Sequence, residues 1–323
     1  MLGWYPIQRW SAVFMLCLAP WRSAWPQAGS KPAGNSALEL QQAVTHSMAG
    51  KRGAAVVIDV ATGKVLAVYQ LEVAARRFAL PGSAIKPFTL LALLQAGKVD
   101  GQTVLMCKRP LTIGGHRLDC THPDLQQPFD SATALAYSCN SYFASVATRL
   151  TPAELQNGFS AGGVSGQSGL APTEMSEGVA LAGTQAELQL QAIGEWGIRV
   201  TPLQLLHGYR NLALLAVNYE AKLAPLFAGL EGSTAYGMGR LAQPTSAMKV
   251  AGKTGTSMAD EGTWRHGWFA GYAPADKPEI ALVVYLEKGN GPVDAAGVAR
   301  EIFTAFAKSR AKHSQNRSPG TLR

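Results

Sequence analysis

Strand-forming sequence sits in two places far apart along the chain, and that separation constrains the fold more than any other feature. Near the start, Ala54-Ala55-Val56-Val57-Ile58-Asp59-Val60 and Val65-Leu66-Ala67-Val68-Tyr69 are joined by Ala61-Thr62-Gly63-Lys64, which reads as a hairpin turn. Near the end come Val250 to Thr256, His266 to Tyr272 and Glu279 to Leu286, the last rich in β-branched residues. Residues 100–250 carry little strand signal and alternate helical patches with Gly/Pro loops. Ser36 caps an expected amphipathic helix reaching about Ala49, and about Val293 to Lys308 reads as a closing helix. Within the insertion, Asp130 to Leu150 is the clearest helix and Thr201-Pro202 a helix start. The order helix, two strands, helical insertion, three strands, helix describes an α+β fold. It is a five-stranded antiparallel sheet flanked by terminal helices, with an all-helical lobe inserted between its strands.

Composition permits such a core. The 323 residues are 47% apolar and only 15% charged, which excludes a disordered or coiled-coil chain. A net charge of +8 invites a nucleic-acid partner, but its placement argues for none. Seven of the 29 basic residues (Arg9, Arg22, Lys308, Arg310, Lys312, Arg317 and Arg323) lie in residues 1–28 and 308–323, which hold no acid. The 22 left nearly balance the 21 acidic residues, so the basicity belongs to the ends.

Arg9 precedes the apolar run Trp10 to Pro20, the length of a secretory h-region and short for a membrane span. Neither Ala24 nor Ala28 completes a small-x-small cleavage site. The expected organisation is a signal peptide or N-terminal membrane anchor over 1–28, linker and first helix over 29–50, the folded domain over 51–308, and a disordered basic tail over 309–323. Export makes a disulfide plausible between Cys107 and Cys120, which enclose a polar loop with Gly114-Gly115. The alternative, zinc held by Cys107, His116, Cys120 and His122, matches none of the usual ligand spacings, so no metal is expected. Cys139 reads as a small buried hydrophobe.

Three motifs carry chemistry. S-x-x-K occurs at Ser83…Lys86, Ser246…Lys249 and Ser309…Lys312, but only the first opens an apolar helical run, Thr89 to Leu94. A serine and a lysine three apart at a helix start share one face, so Lys86 can take the proton of a Ser83 nucleophile once its own pKa is lowered. In the second motif, Ser138 can pass a proton to a leaving amine and Asn140 can hold a substrate amide. In the third, Lys253 with the Thr254 and Thr256 hydroxyls can bind a terminal carboxylate, and Gly255 lets a substrate strand approach. The backbone N–H groups of Ser83 and Thr256 are the candidate oxyanion hole. The set suits acyl transfer at a peptide-like bond. A Ser-His-Asp hydrolase finds no G-x-S-x-G in the chain.

Pro81 to Phe88, Tyr137 to Phe143, Val200 to Leu205, Gly252 to Ser257 and His266 to Pro274 resemble the transpeptidase domain of class B penicillin-binding proteins. The resemblance covers roughly residues 50–306 and places the chain beside the serine β-lactamases. It implies a β-lactamase/transpeptidase-like fold and a serine D,D-transpeptidase that cross-links peptidoglycan stem peptides ending in D-Ala-D-Ala. It also implies covalent inhibition by β-lactam antibiotics, no cofactor, and a place in the periplasm or on the outer face of the cytoplasmic membrane. A D,D-carboxypeptidase, a β-lactam-hydrolysing or β-lactam-sensing relative, and an inactive wall-binding protein are the rival readings. Class B enzymes normally carry a large non-catalytic module before this domain, whereas here a leader and one helix precede the first strand.

Overall fold

In the computed structural model, which describes residues 34–315 apart from Ser246, Asp260 and Glu261, the two distant strand groups form one sheet. Helix α1 (Gly34–Ser47) leads into β1 (Gly53–Asp59) and β2 (Val65–Tyr69), followed by α2 (Leu71–Arg76). A 3-10 turn at Gly82–Ile85 opens α3 (Lys86–Gln95). The lobe continues through a short hairpin, β3 (Thr112–Ile113) and β4 (His116–Arg117). Then come α4 (Ser131–Ala136), α5 (Asn140–Ala147), α6 (Pro152–Gly162), α7 (Gln185–Ala192), α8 (Pro202–Ala216) and α9 (Ala224–Ala235). Strands β5 (Ala251–Met258), β6 (Arg265–Ala273) and β7 (Ile280–Leu286) and helix α10 (Ala296–Gln315) close the chain.

The sheet order is β2-β1-β7-β6-β5, antiparallel throughout. Strand β1 pairs with β7 from Gly53↔Leu286 to Asp59↔Ile280, which joins the two halves and leaves β5 at an edge. Both faces are covered, so the central strands read as unbroken apolar runs rather than alternating ones. On one face Ala55, Val57, Leu282 and Val284 pack with Leu40 and Val44 of α1 and Ile302 and Phe303 of α10. On the other, Val56, Ile58, Val283 and Tyr285 meet the lobe and Tyr209 and Leu212 of α8. The described residues form one compact unit.

Helix α3 is the axis of the lobe, with every residue from Lys86 to Leu94 buried. Helix α6 approaches it through glycines: a Cβ on Gly158 would lie 2.4 Å from Ala92 Cβ, and one on Gly162 2.7 Å from Phe88 Cδ1. Helix α8 starts as expected at Thr201-Pro202, where the Thr201 and Gln204 side chains form a reciprocal capping box.

Three expectations change. The single helix expected over Asp130 to Leu150 is two helices, broken at Tyr137-Ser138-Cys139. Asp130 caps the first through Thr133 N–H, and the Cys139 thiol caps the second through Tyr142 N–H. The closing helix begins at Ala296 after a wide turn at Gly291–Ala295 and continues beyond Lys308 to Gln315. The start of the expected basic tail is therefore ordered: Ser309 is buried and Lys312 pairs with Glu39 of α1 at 2.7 Å. The expected leader (1–28) and residues 316–323 lie outside the described residues. No described helix is long and apolar enough to cross a membrane.

Candidate active site

The site lies where the 3-10 turn of the lobe meets edge strand β5. Gly82 has φ +51°, and a Cβ there would stand 2.5 Å from the Thr256 carbonyl oxygen. A Cβ on Gly255 would stand 2.3 Å from the Pro81 carbonyl oxygen. Glycine at both positions lets turn and strand touch backbone to backbone. Ser257 Oγ and Trp268 Nε1 lock the approach by donating to the Leu80 carbonyl at 2.6 and 3.1 Å. From behind, Gly82 N–H donates to the Gly194 carbonyl and Tyr209 hydroxyl to the Ala84 carbonyl. Ser83 is thereby presented on a fixed turn, and in 3-10 geometry residues three apart eclipse, which sets Lys86 over Ser83.

Lys86 is fully buried, and its Nζ donates to the Ser138 carbonyl (2.8 Å), Asn140 Oδ1 (2.5 Å) and Ser138 Oγ (3.4 Å). Burial pulls its pKa down to about 8, against the opposing pull of Cys120, Cys139 and Glu195. Lys253, also fully buried, donates from Nζ to Ser138 Oγ at 2.9 Å and to the Thr254 carbonyl at 2.9 Å. Its pKa is pushed well below the usual lysine range, first by burial and then by the charge of Lys86. One hydroxyl thus stands between two buried amines. The oxygen accepts from them, which frees the Ser138 proton for a third group.

Ser138 reaches that position because the backbone breaks there. Its φ of +59° costs a non-glycine residue on the order of 1 kcal/mol, and the caps on either side hold it in place. Asn140 opens α5 and is braced by its own amide, which donates to the Leu118 carbonyl at 3.0 Å. On β5 the two threonines differ: Thr254 is buried, whereas Thr256 is half-buried at the edge. Thr256 Oγ1 accepts Gly291 N–H at 3.0 Å, so its own proton remains available to a carboxylate. The structure brings Lys86, Ser138, Asn140 and Lys253 into one hydrogen-bonded cluster and holds the turn that carries Ser83 against Gly255 and Thr256 of β5.

Sequence reasoning missed Glu195. It follows Gly194, the glycine that holds Gly82, and burial raises its pKa to about 7 while Lys86 and Arg265 oppose that rise. The expected Cys107–Cys120 disulfide is not formed in this structure. Cys107 and Cys120 are free thiols with Sγ atoms 3.6 Å apart, far beyond the roughly 2.05 Å of a bond. They turn instead toward Cys139 and His122, whose ligating atoms lie with theirs inside 4.8 Å. His116, part of the alternative zinc spacing, is exposed on β4.

Residues 53–308 match the family model of the penicillin binding protein transpeptidase domain. The peptidoglycan D,D-transpeptidase MrdA of Acinetobacter baumannii is 24% identical over 85% of this chain and 53% of its own length. A probable peptidoglycan D,D-transpeptidase, PenA of Neisseria flavescens, is 27% identical over 82% of this chain and 77% of its own. The chain spans about half the length of several of the curated relatives it matches. Among solved structures, Pseudomonas aeruginosa PBP2 superposes with a TM-score of 0.70 at 22% identity, covering 83% of this chain and 76% of that one. Helicobacter pylori PBP2 superposes with a TM-score of 0.72 at 18% identity, covering 83% and 62%. Both share the fold described above.

Proposed function

The chain belongs to the penicillin-binding protein transpeptidase domain family, and on that premise we propose that it is an exported serine D,D-transpeptidase cross-linking peptidoglycan stem peptides. The observation that carries the reading is the placement of Ser138 between two buried, pKa-lowered lysines beside the Ser83 turn. Lys86 in its neutral form takes the Ser83 proton, and Ser83 Oγ bonds to the penultimate D-Ala carbonyl carbon. The N–H groups of Ser83 and Thr256 hold the oxyanion, an arrangement worth about 3–4 kcal/mol per donor in related sites. The C–N bond breaks as Ser138 gives its proton to the departing D-Ala and recovers one from the lysines. An amine from a second stem then attacks the ester; the new C–N bond forms, the bond from the carbonyl carbon to Ser83 Oγ breaks, and the proton lost by the amine passes to Ser83 Oγ.

The terminal carboxylate finds Lys253 and the Thr256 hydroxyl. Its arrival favours the ammonium form of Lys253, because an anion offsets the desolvation that lowers that pKa. β-Lactams present the same carboxylate and a strained amide, so they acylate Ser83 by the same route. Mass spectrometry after incubation with a D-Ala-D-Ala peptide, an acceptor amine and penicillin tests the proposal. The expected results are an adduct on the Ser83 peptide, free D-Ala and an amide-linked product. Hydrolysed donor alone would assign a carboxypeptidase, and no adduct at all would assign an inactive wall-binding protein.

A further inference from the structure

Helix α9 and the segment leading into β5 enclose a cavity of about 640 Å³, within the size range of small-ligand sites. Its walls carry three aromatic rings, Tyr219, Phe227 and Tyr236, with Tyr219 packed on Phe227 at a centroid distance of 4.3 Å. The charged groups of the lining are Glu231 on α9 and Lys249 before β5. We infer that this cavity binds a zwitterionic amino acid or short peptide, with the ligand's ammonium on the Glu231 carboxylate among the aromatic rings.

Glu231 is half-buried, and its carboxylate accepts no hydrogen bond and pairs with no cation among the described residues, Lys249 included. Its charge reaches Tyr272 of β6, a phenol only 1% exposed, whose pKa is raised first by burial and then by Glu231 and Tyr219. The carboxylate therefore lies toward the sheet, where it has given up part of its hydration for no partner. An ammonium supplies the opposite charge and the missing donors together, and an aromatic face attracts the same cation through its quadrupole. Gly232 keeps the space open: a Cβ there would stand 2.6 Å from the Tyr236 hydroxyl oxygen and displace that ring. Lys249 is exposed, so it meets the carboxylate end of a ligand where the cavity opens to solvent. Two contacts tie the cavity to the catalytic motifs. Tyr236 packs on Tyr137, the neighbour of Ser138, with centroids 5.6 Å apart. The Thr234 hydroxyl donates to the carbonyl of Val250, immediately before the strand that carries Lys253.

The site stands independently of the reaction proposed above, because binding is read without turnover. Calorimetric titration of the full chain with L-leucyl-L-alanine should give a saturable heat. N-acetylation of the peptide removes the ammonium and should weaken binding by about tenfold or more, the worth of one charged hydrogen bond. Amidation of its carboxylate should weaken binding by only about threefold, since Lys249 is solvated, and Lys249→Ala should abolish that difference. Glu231→Gln should weaken the free peptide about as much as N-acetylation does, with wild-type circular dichroism. The N-acetyl comparison on the wild type decides the matter if that variant misfolds. No saturable heat up to about 10 mM peptide, or equal affinity for the N-acetyl peptide, would overturn the inference. So would binding that survives Glu231→Gln and disappears in Lys253→Ala, which would put the peptide in the catalytic cleft.

Discussion

Asn140 Oδ1 accepts from Lys86 Nζ at 2.5 Å, so the second motif holds the base of the first. An acceptor on the ammonium stabilises the charged form, while burial opposes it and sets the pKa near 8. Penicillin acylation should therefore rise with pH through about 8, as Lys86 loses its proton, and then level. In Asn140→Ala the charged form loses its acceptor, so the midpoint should move to lower pH. Stopped-flow labelling across pH checks both directions, and a midpoint unmoved in Asn140→Ala would break the link.

Removing the base or nucleophile separates chemistry from fold. Ser83→Ala should take no fluorescent penicillin, and Lys86→Ala should acylate about 10²–10⁴-fold more slowly, both keeping wild-type circular dichroism. Ser246→Ala should label normally, since its S-x-x-K match opens no helix.

Glu195 trades stability against charge. Its pKa rises from 4.5 to about 7 in the fold, so the native state binds more protons than the unfolded chain between those values. Folded stability therefore falls as pH rises through that window. Glu195→Gln should remove the loss and be more stable at pH 8 by up to about 3 kcal/mol in denaturant titration. The lost negative charge should also move the Lys86 midpoint to lower pH. Equal stabilisation at pH 4 and pH 8 would refute the titration account.

Gly255→Ala places a methyl against the Pro81 carbonyl and Ala84 N–H and separates β5 from the nucleophile turn. Misplacing one oxyanion donor costs about 10²–10³-fold, and acylation should fall by that amount. Thermal unfolding should move far less, because β5 keeps its full pairing with β6.

The acyl-enzyme formed with penicillin should persist for minutes to hours. Hydrolysis of a chromogenic cephalosporin at several turnovers per second would instead identify a β-lactamase.

The sheet was legible because its strands are buried on both faces and their residue types declare it, as in Ile280 to Leu286. The motif side chains were legible because their chemistry is uncommon and their order is restrictive. The helix break at Ser138 was not, since a φ of +59° leaves no mark on apolar periodicity and Asp130 to Leu150 looks continuous. Three of the four clustered side chains, Cys107, Cys120 and His122, stood together in the sequence, but Cys139 was hidden because it resembles a core residue until Cys120 stands beside it. Glu195 reads as an ordinary polar residue until the packing around Gly82 and Gly194 half-buries it. The length of α10 depended on docking: Lys312 reaches Glu39, a partner from the other end of the chain.

The pairing of β1 with β7 has a consequence for the order of assembly. During synthesis the first hairpin emerges long before residues 280–286, so its inner strand waits with an open edge while the lobe, whose helices all precede β5, can condense. The Ser83 turn rests on β5 and cannot settle until that strand arrives. Reactivity toward penicillin is thus a late-maturing property, and a nascent chain halted before β5 should hold a folded lobe that takes no label.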